Sequence, residues 1–311
     1  MRNLATSGGG GWGPVISVAV ALVVLLSWLT WYALGHRPIT RDGSPAWSPD
    51  GAAIVLDAEQ NDRRDLVIMN ADGTGVRPLS NLESADEAAP AWSSDGLIAY
   101  EAEVDGNRDI YLVNANGSRK QRLTIHPGED QSPAWSPDGK RIVFSSDRDS
   151  KPSFDLYLMS ADGSAVERLT MTGNNRAPQF SPDGAHIAFQ SGRDVYVLEL
   201  ATRQLRRLTA EKQSGDGMRP TWSPNGKRIA FMTARSGRMQ IWVMNADGTD
   251  QREFLKMPTG SAIDPRWSPK AERLLFVHVP DEAPPIDRRT PGERAIYVLD
   301  IGSGKVTRLS R

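Results

Sequence analysis

Close copies of one hexamer carry an acidic or amide residue in the same place: "AWSPDG" at 46–51 and again at 134–139, "AWSSDG" at 91–96, "QFSPDG" at 179–184 and "TWSPNG" at 221–226. Carboxylates set in loops at fixed offsets can serve as acid–base groups or cation ligands. The same residue types are also what a tight turn demands. Proline presets the backbone, aspartate bonds back to the chain, and glycine takes a positive φ that a β-carbon resists. The substitution pattern decides between the two. Asp50, Asp95, Asp138 and Asp183 recur with Asn225 in register and with "SPKAE" at 268–272 in a sixth copy, a tolerance that fits turn chemistry and not a catalytic group.

A second set, "NADGTG" (70–75), "NANGS" (114–118), "SADGS" (160–164) and "NADGTD" (245–250), has the residue content of a calcium loop. No copy supplies the full run of oxygen ligands, the turn glycine and the closing glutamate that such a loop needs, so these too read as turns. Nucleophile chemistry fares no better: there is no Gly-x-Ser-x-Gly elbow, and "GSGK" at 302–305 is too short for a phosphate-binding loop. His36, His126, His186 and His278 are the only histidines and no cysteine occurs, which removes thiolate metal sites, thiol nucleophiles and disulfides. No cofactor is expected from these residues.

The elements that carry the turns follow from the period. The aromatic marker falls at Trp47, Trp92, Trp135, Phe180, Trp222 and Trp267, with spacings of 45, 43, 45, 42 and 45 residues. That lies in the range of about 40 to 50 residues per propeller blade. In the third copy, "SPAWS", "KRIVFSS", "FDLYLMS" and "AVERLT" read as four strands separated by turns. The second and third strands hold continuous apolar runs such as "IVF", "LYLM", "VYVL" and "IWVM", which suit strands covered on both faces. The expected fold is all-β: a six-bladed propeller of four-stranded blades over 44–311. Its tryptophans are read as blade-packing residues.

First strands line the channel of a propeller, and Asp42, Glu87, Asp130 and Asp264 stand just ahead of them. They are candidate channel-rim carboxylates, either ordinary solvated charge or the ligands of a calcium ion in the channel. Connectivity puts the short "SPDG" and "ADG" turns on one face and the irregular segments 80–89, 147–154, 210–219 and 278–294 on the other. Binding residues concentrate on variable loops held by a rigid frame. Asp281, Glu282, Asp287, Arg288 and Arg289 of the proline-rich segment are therefore the candidate partner-binding loop.

Lys+Arg 37 against Asp+Glu 38 gives a net charge of -1, without the basic footprint of a nucleic-acid partner. Residues 15–34, "VISVAVALVVLLSWLTWYAL", carry no charge. At about 1.5 Å per residue this run matches a bilayer core of about 30 Å. Trp12 before it and Trp31 with Tyr32 at its end stand where interfacial aromatics belong. The expected order is a tail (1–14), a single N-terminal transmembrane helix that anchors the chain in the lipid bilayer (15–34), a tether (35–43) and the propeller (44–311). A cleaved signal peptide is the competing reading, with "ALG" at 33–35 as a poor cleavage site. Arg2 on one side and Arg37 with Arg41 on the other leave orientation undecided by charge.

The combination of "PAWSPDG", the apolar strand "RIVF", "DLYLMSADG" and "RLT" resembles the repeat of TolB-type propellers, over about residues 44–310. TolB itself has an α/β domain ahead of its propeller, where this chain has the apolar segment. The resemblance implies a periplasmic or extracytoplasmic propeller; it does not by itself choose a function, since the fold hosts binding scaffolds, peptidase gates and lyases alike. The expectation is a non-catalytic, membrane-anchored scaffold that binds a membrane-embedded or membrane-proximal envelope protein, as an accessory subunit of a membrane complex. The alternative is a propeller enzyme, a lyase or hydrolase, or a ligand-binding sensor acting through the central channel.

Overall fold

A computed structural model describes residues 41–60, 63–80, 82, 85–209, 217–281 and 294–310, without the side chains of residues 41, 42 and 60. The expected membrane segment, with Trp12, Trp31 and Tyr32, lies outside the described residues. Among the described residues no helix is long and apolar enough to cross a membrane.

The first blade is β1 (Arg41–Trp47), β2 (Ala53–Gln60), β3 (Arg63–Asn70) and β4 (Arg77–Pro78), paired antiparallel in chain order. The same order recurs in 86–122, 130–168, 175–207, 218–255 and 261–308, giving six four-stranded sheets. Every sheet is contiguous in sequence, as the repeat predicts. The first begins at Arg41 where the sequence placed its start at Ser44.

Six hydrophobic clusters lie between successive blades, and the apolar runs explain how. Adjacent strand residues point to opposite faces. Val55, Leu66 and Ile68 therefore pack with Ile98, Tyr100 and Tyr111 of the second blade, while Ile54, Leu56 and Met69 pack with Leu275, Ile296 and Leu309 of the sixth. Each such side chain is worth roughly 1.5–3 kcal/mol of burial. The seam between first and last blades is thus built like the rest.

Outer strands are two to four residues long, too short for a ladder to hold alone. Side chains hold them. In the third blade Asp155 accepts from Arg168 Nη2 at 2.6 Å and from Thr170 Oγ1 at 3.0 Å, and that hydroxyl accepts Leu156 N–H at 2.9 Å. Asp109 with Arg122 and Thr124, and Asp194 with Arg207 and Thr209, repeat the clamp in the second and fourth blades.

A regular irregularity shapes the inner strands. In each, the register slips just before the aromatic marker, at Gly43/Ala46, Ala88/Ala91, Gln131/Ala134, Arg176/Gln179, Met218/Thr221 and Ile263/Arg266. Pro45, Pro90, Pro133, Pro178, Pro220 and Pro265 sit inside these slips. Proline has no N–H for the ladder and is accommodated at bulges. The residue before it is left-handed in five blades: Ala89, Ser132, Ala177, Arg219 and Asp264, with φ of 49° to 53°.

Candidate functional site

The turn aspartates do structural work. Asp138 accepts from Ser136 Oγ at 2.6 Å and from Lys140 N–H at 3.1 Å, while Ser136 Oγ accepts Arg141 N–H at 2.9 Å. The Ser136 hydrogen bond, then that of the Lys140 amide, holds the Asp138 carboxyl below its usual range. Asp50 and Asp183 are bound and shifted in the same way by Ser48 and Ser181. In the second turn set Asp72 and Asp162 are held by Thr74 and Ser164. The tryptophans bridge blades as well as filling them: Trp47 Nε1 donates to Arg266 O at 3.3 Å and Trp135 Nε1 to Ala91 O at 3.2 Å.

Where these turns meet, on the short-turn face, the channel mouth opens into a cavity of about 360 Å³ lined by residues from all six blades. Its upper wall is turn prolines such as Pro49, Pro137, Pro182 and Pro269. Lower down it reaches the bulges. The position before each aromatic is Ala46, Ala91, Ala134, Gln179, Thr221 and Arg266, so the wall is small and apolar on blades one to three and polar on blades four to six. Among the described residues, Arg219, from the fifth bulge, and Arg266 are the only charged side chains in the lining.

Beneath them lies a charged layer. Arg219 Nε is 3.0 Å from Asp264 Oδ1, and Arg266 Nη1 donates to Pro265 O at 3.0 Å. Burial lowers Arg266 below the ordinary guanidinium value; Asp264 opposes this and Arg219 adds to it. Asp57, 2% exposed, faces the same interior, 3.6 Å from Arg64. Burial pushes its carboxyl up to about 6, against the pull of Arg64 and with the help of Asp264 and Glu101.

Of the four carboxylates expected at a channel rim, the three described do not form one group. Glu87 is fully buried and joins two blades, accepting from Ser80 Oγ at 2.6 Å and from Leu66 N–H at 3.1 Å; burial raises its carboxyl. Asp130 is also fully buried and takes both oxygens to Arg148 Nη2, at 2.9 and 2.8 Å. Asp264 alone of the described three belongs to the channel charges, and the side chain of Asp42 lies outside the description. Among the described residues no group of three or more histidines or carboxylates is placed to hold a metal ion. His126 Nδ1 accepts Gly128 N–H in a loop after the second blade, and His278 Nε2 bonds Thr259 O from within a strand of the sixth.

Of the expected partner-binding loop, Asp281 is described, 3.2 Å from Arg238 Nε; Glu282, Asp287, Arg288 and Arg289 lie outside the described residues. Sequence reasoning missed Arg219, Arg266 and Asp57. The signal was in the repeat: the columns one and three before the aromatic marker are otherwise small or neutral and become Arg219, Arg266 and Asp264 only in the last two blades.

The pattern of the TolB beta propeller domain matches residues 84–189 and 171–290. The chain is 33% identical over 122 residues to the Tol-Pal system protein TolB of Bordetella pertussis, covering 39% of this chain and 27% of that one. Matches to the curated relatives span about a quarter of their length. The crystal structure of TolB from Acinetobacter baumannii superposes with a TM-score of 0.63 at 27% identity, covering 74% of this chain and 57% of that one. An oligogalacturonate lyase from Vibrio parahaemolyticus superposes with a TM-score of 0.59, covering 89% and 78%; at 13% identity that likeness shows the fold alone.

Proposed function

The chain belongs to the TolB beta propeller domain family, and from that premise we propose that it is a non-catalytic, envelope-associated propeller that binds a segment of another protein in the channel mouth. Residues 15–34 tether it to the bilayer in this reading, with the propeller outside the cytoplasm, as an accessory subunit of a membrane complex. The observation that carries it is the cavity itself: six blades contribute to it, and its wall departs from the repeat on one side only. Turn chemistry and blade packing account for the aspartates and tryptophans but do not call for Gln179, Thr221, Arg219 and Arg266. A lyase or hydrolase working there would need an acid–base pair, and the lining has neither carboxylate nor histidine.

A second contact is favoured by the loop-rich face, where Ile125 and Met171 stand 80% and 81% exposed on neighbouring blades. Isolated exposed apolar residues are ordinary, but these two stand at equivalent positions after the outer strands of their blades and are available to a membrane-proximal partner. A photo-crosslinking residue at Ser94, in the cavity wall, or at Met171 separates the two in intact cells. Crosslinks to a discrete partner from Ser94 support the channel mouth. Crosslinks from Met171 with none from Ser94 move the site to the loop-rich face.

A further inference from the structure

The cavity wall is polarised, and its polar side is short of anions. Much of the lining is the serines and aromatics of the repeated hexamer. The hydroxyls of four of these serines are spent inside their own turns, Ser48 on Asp50, Ser93 on Asp95, Ser136 on Asp138 and Ser181 on Asp183. Trp47, Trp135 and Phe180 are 7 to 8% exposed, with their ring faces packed between blades. On the polar side the groups with hydrogen-bonding capacity are Gln179, Thr221 and the two guanidinium groups, together with the Nε1 atoms of Trp222 and Trp267, which are buried without a partner. Arg219 is held by Asp264 through Nε, and Arg266 by a main-chain oxygen through Nη1. Asp264 is the carboxylate beside both cations, with buried Asp57 acting on Arg219 from the interior, and among the described residues the wall holds no other charge.

A guanidinium pair in a partly desolvated pocket selects an acceptor with two oxygens and a negative charge, because charge-assisted bidentate bonds form and bulk water competes poorly. We propose that Arg219 and Arg266 form a carboxylate-binding subsite for an acidic polypeptide segment entering the channel from the short-turn face. The inference rests on the protein-binding reading above and names its chemistry. A cavity of about 360 Å³ holds only the tip of such a segment, so the carboxylate is the tip's own, either an aspartate or glutamate side chain or a C-terminus. The small apolar side, Ala46, Ala91 and Ala134, leaves room for the backbone, and the rings of Trp47, Trp135 and Phe180 are too deeply buried to offer a sugar a stacking platform.

The test is fluorescence anisotropy with the purified full chain and three labelled probes: hexaglutamate amide, hexaglutamine with a free C-terminal carboxylate, and hexaglutamine amide. One of the two carboxylate probes is expected to bind at least tenfold more tightly than hexaglutamine amide, and which one does so identifies the source of the carboxylate. Arg266→Gln and Arg219→Gln should each weaken that binding at least fivefold. Arg266→Lys should retain part of it, and Arg119→Gln, on the outer rim, should leave it unchanged. Melting curves of each variant show that the fold is intact. Equal binding of all three probes, or equal losses from Arg119→Gln and Arg266→Gln, overturns the subsite. So does binding of hexagalacturonate in place of both peptides, which assigns the arginines to an acidic saccharide. If crosslinks from Ser94 identify a partner while neither carboxylate probe binds, the subsite fails and the protein-binding reading stands.

Discussion

Gly73, in a turn of the first blade, lies against Leu309 in the last: a β-carbon at Gly73 would come within 2.4 Å of Leu309 O. The "ADG" turns are therefore seats for the neighbouring blade as well as hairpins, since Gly163 meets Leu123 O of the preceding blade in the same way. The ring is closed by this contact and by the apolar seam between the first and sixth blades, with each sheet keeping its own four strands.

Gly73 and Gly96 both have positive φ, 86° and 90°, but only Gly73 is in contact; nothing lies within 4 Å of a β-carbon at Gly96. Gly96→Ala should cost about 1–2 kcal/mol from backbone strain alone. Gly73→Ala must also separate two blades, and its urea midpoint should fall clearly below that of Gly96→Ala. Equal midpoints would show that the seam yields without cost.

Trp135 fills the seam between the second and third blades and donates to Ala91 O across it. Trp135→Ala should lose about 3–5 kcal/mol. Trp135→Phe keeps most of the packing and gives up the hydrogen bond, so about 1 kcal/mol is expected beyond the small change in volume. Chemical denaturation of the two variants separates packing from bonding.

The Asp155 clamp should be strongly destabilising to break. Burial alone would raise Asp155, but bonds from Arg168, the Gly173 amide and Thr170 hold it below the usual carboxylate range. Its contribution is present above the unfolded-state pKa and is lost as pH falls through the lowered folded value. Asp155→Asn should cost about 3 kcal/mol at neutral pH, as expected when one partner of a buried pair is removed. Asp250→Asn, in the exposed pair with Arg252, should change stability by less than about 1 kcal/mol. Similar urea midpoints for the two variants would contradict this.

Asp57 acts with the opposite sign. Its folded pKa, raised to about 6 from 3.8, means that the fold favours the protonated carboxyl. Its stabilisation is complete below the unfolded value and is lost as pH rises through about 6, by at most roughly 3 kcal/mol. Asp57→Asn should remove that slope and be more stable than the parent above about pH 7. Arg64, with a side chain 40% exposed, then turns to water at little cost. An unchanged pH profile of the melting temperature would contradict the shift.

The expectation from loop variability favoured the face that carries segment 278–294, whereas the cavity opens among the short turns. Irregular loops report where length is tolerated. Concavity comes from small residues where six inner strands converge, and that is a property of the ring.

The residues by themselves determined the parts of this protein whose physics is local. Proline, aspartate and glycine in "SPDG" define a turn within six residues, a continuous apolar run of strand length defines a strand covered on both faces, and a recurrence of about 45 residues counts the blades. Tertiary structure alone decided which distant residues meet. Trp47 reaches Arg266 across 219 positions, and Asp57 feels Asp264 and Arg219. Those encounters depend on ring closure and on a bulge in each inner strand, which no single copy of the repeat contains enough neighbours to express.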